Sequence, residues 1–390
     1  MKILHTSDWH LGVKTNGIDR LPEQKKVMEE ILSIVNYENV DCVIIAGDVF
    51  NSSNPSADAE ELFFDTIEKL SSNGDRFIFV LAGNHDDPTR IEAGLPLASK
   101  RNIALVGNLT RLKENSFNSE AMVKVVETGK GYIKIQKNDE IVTIAYLPYP
   151  TESRITEKTD DGLSYPEKVE YWASIGANAF TDESFNIFVS HLFMVGSKTT
   201  DGEVKVGDIM AVPKNYLPKA DYTALGHIHT PQSLGSNIYY SGAITALSVG
   251  QKGLGVNIIE TTPLSKKYDL KNVELTNIVK YEKVTANSIA GAEELLSKYD
   301  ANDIVELEIV QTEPLSASDL KKLKKDFSCV SNISLVRNLT ENQEVKKYDR
   351  RKLTDDELFK KFYKDVRGFE PSQDLIEMFN LCKGDNNETD

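Results

Sequence analysis

The chain has 390 residues, 40% of them hydrophobic and 27% charged, which is enough for two or three domains of roughly 100–200 residues each. No window approaches the ~18 apolar residues of a membrane span, and the polar N-terminus does not resemble a signal peptide. The net charge of −15 argues against avid nucleic-acid binding by this chain alone, because phosphate binding normally uses a basic surface.

The first 100 residues alternate short apolar runs with segments of helical periodicity, which predicts a β-α-β-α-β order. The stretch 103–147 predicts strands only. A polar loop at 151–165, expected to be mobile, precedes a helix at 167–180 and further strands up to 259. The simplest packing is a mixed α/β sandwich of two sheets flanked by helices, over residues 1–262.

The apolar pattern loosens at 262–278, and a second unit follows at 278–338, again with a β-α-β-α-β order. The tail at 345–382 begins with the basic cluster Lys346–Lys352 and continues with apolar residues at helical spacing. It therefore predicts one or two amphipathic helices. We expect residues 383–390 to be disordered.

The three cysteines lie far apart in the sequence, at Cys42, Cys329 and Cys382, with no C-x-x-C pair. This spacing favours neither a zinc knuckle nor a disulfide framework. We therefore expect a soluble protein of the reducing cytoplasm.

Five of the six histidines lie in short polar clusters, each directly after an apolar run. The clusters are Asp8-Trp9-His10, Gly47-Asp48, Gly83-Asn84-His85-Asp86, Ser190-His191 and Gly226-His227-Ile228-His229. The carboxyl ends of strands are where α/β folds place their ligands, so these side chains are candidates for one site.

A pair of divalent cations about 3.5–4 Å apart needs a shared carboxylate with several oxygen and imidazole ligands. The residues that meet this need are Asp8, His10, Asp48, Asn84, His191, His227 and His229. A nitrogen and oxygen set without thiolates suits manganese, iron or zinc better than calcium or magnesium. His85 would remain free to protonate a leaving oxygen, with Asp86 as its orienting group.

Each cluster taken alone has a structural explanation. An acid and a histidine after a strand are more often a turn or a helix cap, and Gly83–Asp86 contains standard turn formers. His227 and His229 form a stronger signal, because alternation on a strand directs both rings to one face. The clusters together favour a metal centre, whereas His5, inside the first predicted strand, is expected to pack in the core or beside the ligands.

In this order the motifs D-x-H, G-D, G-N-H-D, S-H and G-H-x-H resemble those of the calcineurin-like metallophosphoesterases, over residues 1–260. More narrowly, residues 3–12, 46–50, 145–149 and 226–232 resemble the SbcD family of exonuclease subunits and its archaeal and eukaryotic relatives.

The resemblance implies two divalent cations, usually Mn²⁺, and a catalytic His85. Asp8, His10 and His229 would hold one cation, Asn84, His191 and His227 would hold the other, and Asp48 would bridge them. The implied activity is hydrolysis of DNA phosphodiesters in repair, recombination and replication, as an exonuclease on duplex ends and an endonuclease on hairpins or single strands.

The resemblance also implies partners. Residues 278–338 would be a capping domain that positions DNA, and 345–382 would dock on an SMC-like ATPase, SbcC, which would hydrolyse the ATP because this chain lacks a P-loop. A homodimer within a heterotetramer would use the helix at 56–72 or the segment at 88–100. The complex would be cytoplasmic, and associated with the nucleoid when bound to DNA.

The sequence leaves several alternatives open. The same metal cluster would serve a phosphoesterase with another substrate, and a degenerate member of the fold could be a non-catalytic scaffold. Archaeal and eukaryotic relatives carry a histidine where this chain has Asn51, so any contact from that histidine is in doubt. The lysines at 321–325 favour a solvated helix face, and Lys346–Lys352 could contact DNA, the partner or neither.

Overall fold

The structure is a computed structural model that describes residues 1–109, 112, 116–155, 157–160, 162–200, 210–262, 265–310, 316–336, 354–367, 370–371, 375–376 and 379. The chain divides into two compact units, Met1–Val336 and Arg337–Asp390. No helix within the described ranges has the length and apolar character needed to cross a membrane.

The strands of the first unit are β1 (Lys2–Thr6), β2 (Lys14–Thr15), β3 (Ile18–Asp19), β4 (Cys42–Ala46), β5 (Phe77–Leu81), β6 (Ile103–Val106), β7 (Lys124–Gly129), β8 (Tyr132–Lys137), β9 (Glu140–Leu147), β10 (Phe185–His191), β11 (Tyr222–Gly226), β12 (Gln232–Ser233), β13 (Ile238–Tyr240), β14 (Gly255–Thr261), β15 (Tyr268–Glu274), β16 (Tyr281–Ala286), β17 (Ile304–Val310) and β18 (Val330–Val336). Its helices are α1 (Leu21–Tyr37), α2 (Ala57–Leu70), α3 (Pro88–Ala93), α4 (Leu95–Ala98), α5 (Tyr165–Ala177), α6 (Ile289–Leu296) and α7 (Ala317–Asp326).

Two large sheets form the main body of the first unit. The first has six strands in the order β15-β14-β1-β4-β5-β6, and β1, β4, β5 and β6 are parallel. The second has seven strands in the order β12-β13-β11-β10-β9-β8-β7, and β9, β10, β11 and β13 are parallel.

Strand β4 shows how the core is divided. Cys42, Ile44 and Ala46 lie in the apolar cluster shared with the second sheet, whereas Val43 and Ile45 lie in the cluster shared with α1 and α2. A strand that is buried on both faces has a continuous run of apolar residues in its sequence. Helix α5 packs against β9 of the second sheet. The predicted two-sheet α/β sandwich flanked by helices is confirmed.

Helix α2 illustrates why the flanking helices form where they do. The Ser56 hydroxyl accepts a hydrogen bond from the Ala59 amide at 3.3 Å and caps the first turn. Phe63, Ile67 and Leu70 then recur at helical spacing and are buried on the face that covers the first sheet.

The sheet extends past residue 262, where the sequence pattern was expected to loosen. Strand β15 pairs antiparallel with β14 from Tyr268 to Glu274 and forms the edge of the first sheet. Most of its side chains are exposed, so it has no apolar alternation from which a strand could be predicted.

Residues 281–336 follow the predicted β-α-β-α-β order. Strands β16, β17 and β18 form a parallel sheet of three strands. Val305, Leu307 and Ile309 of β17 pack with Leu296 of α6 and Leu323 of α7 in a separate small core. Their function as a capping domain stays a prediction.

Residues 151–165, predicted to form a mobile loop, make several contacts with the rest of the first unit. Ile155 is 5% exposed and lies in the cluster between the sheets. The Trp172 indole donates to the Glu157 carbonyl at 2.9 Å, and the Tyr165 hydroxyl donates to the Pro150 carbonyl at 3.1 Å. Polar composition alone did not reveal these anchors.

The described part of the second unit contains helix α8 (Asp355–Arg367). Phe359 stacks on Phe379 with ring centroids 4.2 Å apart, and Phe362 is 65% exposed. The basic cluster Lys346–Lys352, the end at 383–390 and Cys382 lie outside the described residues. Cys42 and Cys329 are buried free thiols.

Candidate metal centre

The carboxyl ends of strands from both sheets meet at one edge of the sandwich. Asp8 and His10 follow β1, Asp48 follows β4, and Asn84 and His85 follow β5. His191 ends β10, and His227 and His229 follow β11. The structure brings all of the predicted ligands, and His85, to this edge.

The donor atoms of these side chains converge on the Asp48 carboxylate. Asp48 Oδ2 lies 3.5 Å from His10 Nε2 and 3.3 Å from His191 Nε2. His10 Nε2 is 3.2 Å from His229 Nε2 on one side of Asp48. Asp48 Oδ2 therefore lies between two groups of donors.

Asn84 joins the group on the other side. Its Oδ1 lies 2.9 Å from His191 Nε2 and 2.8 Å from His227 Nδ1. Three sets of donors each fit within 4.8 Å of one another: Asp8 with His10 and His229, Asp8 with Asp48 and His191, and His10 with Asp48 and His85. Asp8 and Asp48 are the carboxylates available to both sides.

The loops that carry these residues have an unusual backbone. Asp8, His10, Asp48 and His227 all have positive φ, at 53°, 44°, 48° and 99°. Such values are uncommon outside glycine and typically occur where the surrounding structure enforces them. Each turn leaves its strand sharply, which places the side chain over the end of the sheet.

Two glycines allow the strand ends to approach closely. A Cβ on Gly47, whose φ is +94°, would lie 2.2 Å from His191 Nδ1. A Cβ on Gly226 would lie 2.0 Å from the Ala46 carbonyl oxygen and 2.7 Å from His191 Nδ1. Any side chain at either position would displace the His191 ring, which explains the glycines in the G-D and G-H motifs.

Burial leaves three of the imidazoles neutral. It lowers the pKa of His10 to about 3, of His227 to about 3 and of His229 to about 4. These rings are unprotonated at neutral pH, which metal ligation requires.

His191 behaves differently because of Asp48. Burial acts to lower the pKa of His191, but the Asp48 charge and hydrogen bond, together with the Asp8 charge and the Ala46 carbonyl, outweigh it and raise the value to about 9. Burial acts to raise the pKa of Asp48, yet the charge of His191 brings it well below its usual range. Burial raises the pKa of Asp8 to about 7, against the charge of His191.

The donor set fits divalent cations. Imidazole nitrogens, carboxylates and one amide oxygen, without thiolate, suit borderline metals. Divalent cations at these positions would favour ionised carboxylates and neutral imidazoles together, which the side chains alone do not achieve.

Asp86 does not have the predicted position beside the His85 ring. Its Oδ2 accepts hydrogen bonds from the amides of Val49 at 3.1 Å and Gly83 at 2.8 Å, and its Oδ1 accepts one from Phe50 at 2.9 Å. The prediction of Asp86 as the orienting group is therefore wrong, because this buried carboxylate ties the loop after β4 to the loop after β5.

The orienting group of His85 is instead a backbone carbonyl. His85 Nδ1 lies 2.9 Å from the Asn51 oxygen, and because a carbonyl can only accept, Nδ1 donates. The contact comes from the main chain of residue 51, so it does not require the histidine of the archaeal and eukaryotic relatives.

The sequence did not identify several residues that hold these loops. Gln24 donates to the carbonyls of Trp9 at 3.1 Å and His10 at 2.9 Å, and accepts from the Gly12 amide at 2.9 Å. The Ser7 hydroxyl donates to Asp8. Ser7 belongs to the segment 3–12 that carries the resemblance, but no motif in the sequence marks Gln24.

His5 lies in β1 and is fully buried, as expected for a residue that is not a ligand. Its ring nitrogens lie 3.0 Å from the Tyr222 hydroxyl and 3.1 Å from the Leu225 carbonyl oxygen. Burial lowers the pKa of His5 to about 3, so its ring is neutral in the folded state.

Residues 1–231 match the sequence model of the family described as "Calcineurin-like phosphoesterase". The D subunit of the nuclease SbcCD from Bacillus subtilis (strain 168) is 31% identical over 399 residues, which cover 97% of each chain.

Two solved structures are more distant. TT1561 of Thermus thermophilus has a TM-score of 0.37 at 14% identity, over 70% of this chain and 98% of that one. YfcE, a phosphoesterase from E. coli, has a TM-score of 0.26 at 11% identity, over 71% of this chain and 100% of that one.

Proposed function

The chain belongs to the calcineurin-like phosphoesterase family and within it is an SbcD-type member, and from this premise we propose that it is the metal-dependent nuclease subunit of an SbcCD-type complex. It would hydrolyse DNA phosphodiesters as an exonuclease on duplex ends and an endonuclease on hairpins or single strands, in repair, recombination and replication. The observation that carries the proposal is the convergence of imidazole and oxygen donors on both sides of Asp48 Oδ2.

The ligand assignment follows the two groups of donors. We assign Asp8, His10 and His229 to one cation, and Asn84, His191 and His227 to the other, with Asp48 shared. We propose Mn²⁺ as the cation, because the mixed donor set suits it and the family commonly uses it.

Two bound divalent cations would neutralise the phosphate and supply a hydroxide at neutral pH. The chain's own contribution is to hold the donors in place and to deliver a proton. We propose that His85 is that acid. The Asn51 carbonyl accepts from Nδ1–H at 2.9 Å and so leaves Nε2 as the ring nitrogen that can act on the substrate. The Nε2–H is then the group that donates to the leaving oxygen, and the His85 side chain is exposed to solvent, where DNA can reach it.

The net charge of −15 supports the presence of a partner, because DNA binding needs positive charge that this chain does not supply overall. We propose that residues 345–382 dock on an SbcC-type ATPase. Helix α8 presents Phe362, which is 65% exposed, as expected of a docking helix.

We propose that the cap at 278–338 places DNA over the cations, and that two copies of this chain associate within a heterotetramer. Phe64 on α2 is 41% exposed and Leu97 on α4 is 75% exposed, and these helices lie in the segments from which a dimer interface is expected. Such a complex would act in the cytoplasm, on nucleoid DNA.

The test is cleavage of end-labelled duplex and hairpin DNA with Mn²⁺, with and without the ATPase partner and ATP. We expect Mn²⁺-dependent cleavage, and His85→Ala should lower kcat by about 10²–10⁴ while Mn²⁺ still binds. The control is Lys271→Ala. Lys271 lies on the edge strand β15 and forms a surface ion pair with Glu38, so its loss should leave kcat unchanged.

Two outcomes would overturn the nuclease assignment. Turnover of bis(p-nitrophenyl) phosphate without DNA cleavage, even with the partner, would indicate a phosphoesterase with another substrate. Mn²⁺ binding without turnover of either substrate would indicate a scaffold.

A further inference from the structure

The loop Gly83–Asp86, which carries Asn84 and His85, is held from two sides. On one side its amides meet carboxylates: the His85 amide donates to Asp48 Oδ1 at 2.8 Å, and the Gly83 amide donates to Asp86 Oδ2 at 2.8 Å. On the other side its carbonyl oxygens point toward a cation.

That cation is the guanidinium of Arg154. Its Nη1 donates to the Gly83 carbonyl at 2.6 Å, and its Nη2 donates to the carbonyls of Asn84 and Asp86, both at 2.9 Å. Three of the four carbonyls of the loop are thus bound by one side chain. The two hydrogens of Nη2 are both used in this way, so that nitrogen is not available to a phosphate.

Arg154 is itself held firmly. Its guanidinium carbon lies 5.6 Å from the centroid of the Tyr149 ring, a cation–π contact at the end of β9. The amides of Arg154 and Ile155 both donate to the Thr151 carbonyl, at 3.0 and 2.9 Å, and Ile155 is buried between the sheets. The segment therefore presents the guanidinium from a fixed backbone.

We propose that Arg154 is a positioning residue for the reaction: through the carbonyls of Gly83, Asn84 and Asp86 it holds Asn84 Oδ1 and the His85 ring at their working distances. That this reaction is DNA hydrolysis rests on the proposed function. The hydrogen bonds of Arg154 to the three carbonyls do not depend on it. Nη1 and Nη2 contact different carbonyls from one rigid plane, and lysine cannot reproduce this spacing because the three donors of its ammonium lie on a single nitrogen.

Loss of the Arg154 guanidinium should lower kcat more than it changes the KM for DNA. A displacement of about 1 Å in a catalytic group can lower the rate about 100-fold. We therefore expect Arg154→Ala to lower kcat by about 100-fold with the KM for DNA unchanged, and added guanidinium ion to restore part of kcat. Arg154→Lys should retain more kcat than Arg154→Ala but less than the wild type.

Lys168→Ala is the matched control. Lys168 on α5 forms an ion pair with Glu152, which lies two residues before Arg154. The Lys168→Ala variant therefore removes a cation that contacts the same segment but leaves the hydrogen bonds to Gly83–Asp86 in place. Its kcat should equal that of the wild type, and thermal melting should confirm that each variant is folded.

The proposal is overturned by unchanged kcat in Arg154→Ala, or by a raised KM with kcat intact, which would make Arg154 a DNA contact. If Arg154→Ala does not fold, wild-type kcat in Arg154→Lys overturns it. If the wild type cleaves no DNA, the same kcat comparison on bis(p-nitrophenyl) phosphate decides, so that failure of the nuclease assignment and failure of the positioning role remain distinguishable.

Discussion

The buried carboxylate of Asp86 offers a sharp test of the site's construction. Because Oδ2 accepts from two amides and Oδ1 from a third, Asp86→Asn keeps one acceptor oxygen and places an NH₂ group against at least one amide donor. Leaving one buried donor unsatisfied costs about 1–3 kcal/mol, so the free energy of unfolding should fall by about that amount.

Asp86→Ala should be more damaging. It leaves three buried amides without an acceptor, and at about 1–3 kcal/mol each the sum reaches roughly 3–9 kcal/mol. That loss is comparable with the total stability of a typical domain, about 5–15 kcal/mol, so we expect little folded protein.

The assay is urea unfolding of the wild type and Asp86→Asn, followed by tryptophan fluorescence, because Trp9 lies buried beside the metal loops. A matched control is Asp65→Asn, which removes only an exposed ion pair with Lys69 and should change the unfolding free energy by less than about 1 kcal/mol. An unchanged free energy of unfolding in Asp86→Asn, together with a loss of kcat, would contradict the role of Asp86 in joining the two loops. It would favour Asp86 as the orienting group of His85.

Three further outcomes follow from the geometry. Burial lowers the pKa of His191, but Asp48, with Asp8 and the Ala46 carbonyl, outweighs it and raises the value to about 9, so Mn²⁺ must displace a proton and its affinity should rise with pH up to about 9. Calorimetry in buffers of different ionisation enthalpy should show this release, and its absence would contradict the assignment of His191. Gly226→Ala should abolish Mn²⁺ binding or folding because its Cβ would meet the Ala46 oxygen at 2.0 Å, whereas Gly162→Ala, with its nearest contact at 3.6 Å, should bind Mn²⁺ normally. Burial lowers the folded pKa of His5 to about 3, below the unfolded value of 6.5, so His5 lowers stability progressively as pH falls from 6.5 toward 3. Between pH 6.5 and 4.5 this amounts to about 2–3 kcal/mol, and a His5→Gln variant with the same pH dependence as the wild type would contradict it.

The sheets were predictable where their strands are buried on both faces. The apolar runs of β4 and β5 and the polar clusters after them followed from the rule that ligands gather at the carboxyl ends of parallel strands. Strand β15 was missed because an exposed edge strand has no apolar alternation to read.

The supports of the site were less predictable than its candidate ligands. Asp86 and Arg154 act through backbone amides and carbonyls, and a contact with the main chain leaves no pattern in the sequence of either partner. The prediction for Asp86 fails because adjacency in the chain does not bring two side chains into contact. The side chains at positions 85 and 86 instead have different partners, one at Asn51 and the other at the Val49 and Phe50 amides.

The left-handed backbone at Asp8, His10, Asp48 and His227 bears on how such a chain evolves. Each of these residues costs on the order of 1–3 kcal/mol relative to a relaxed conformation, and glycine would relieve most of it. A lineage that abandoned catalysis would gain stability by replacing them and would drift away from the acids and imidazoles at these turns. Four non-glycine side chains at these positions are therefore what selection for chemistry would produce, because stability alone would favour glycine there.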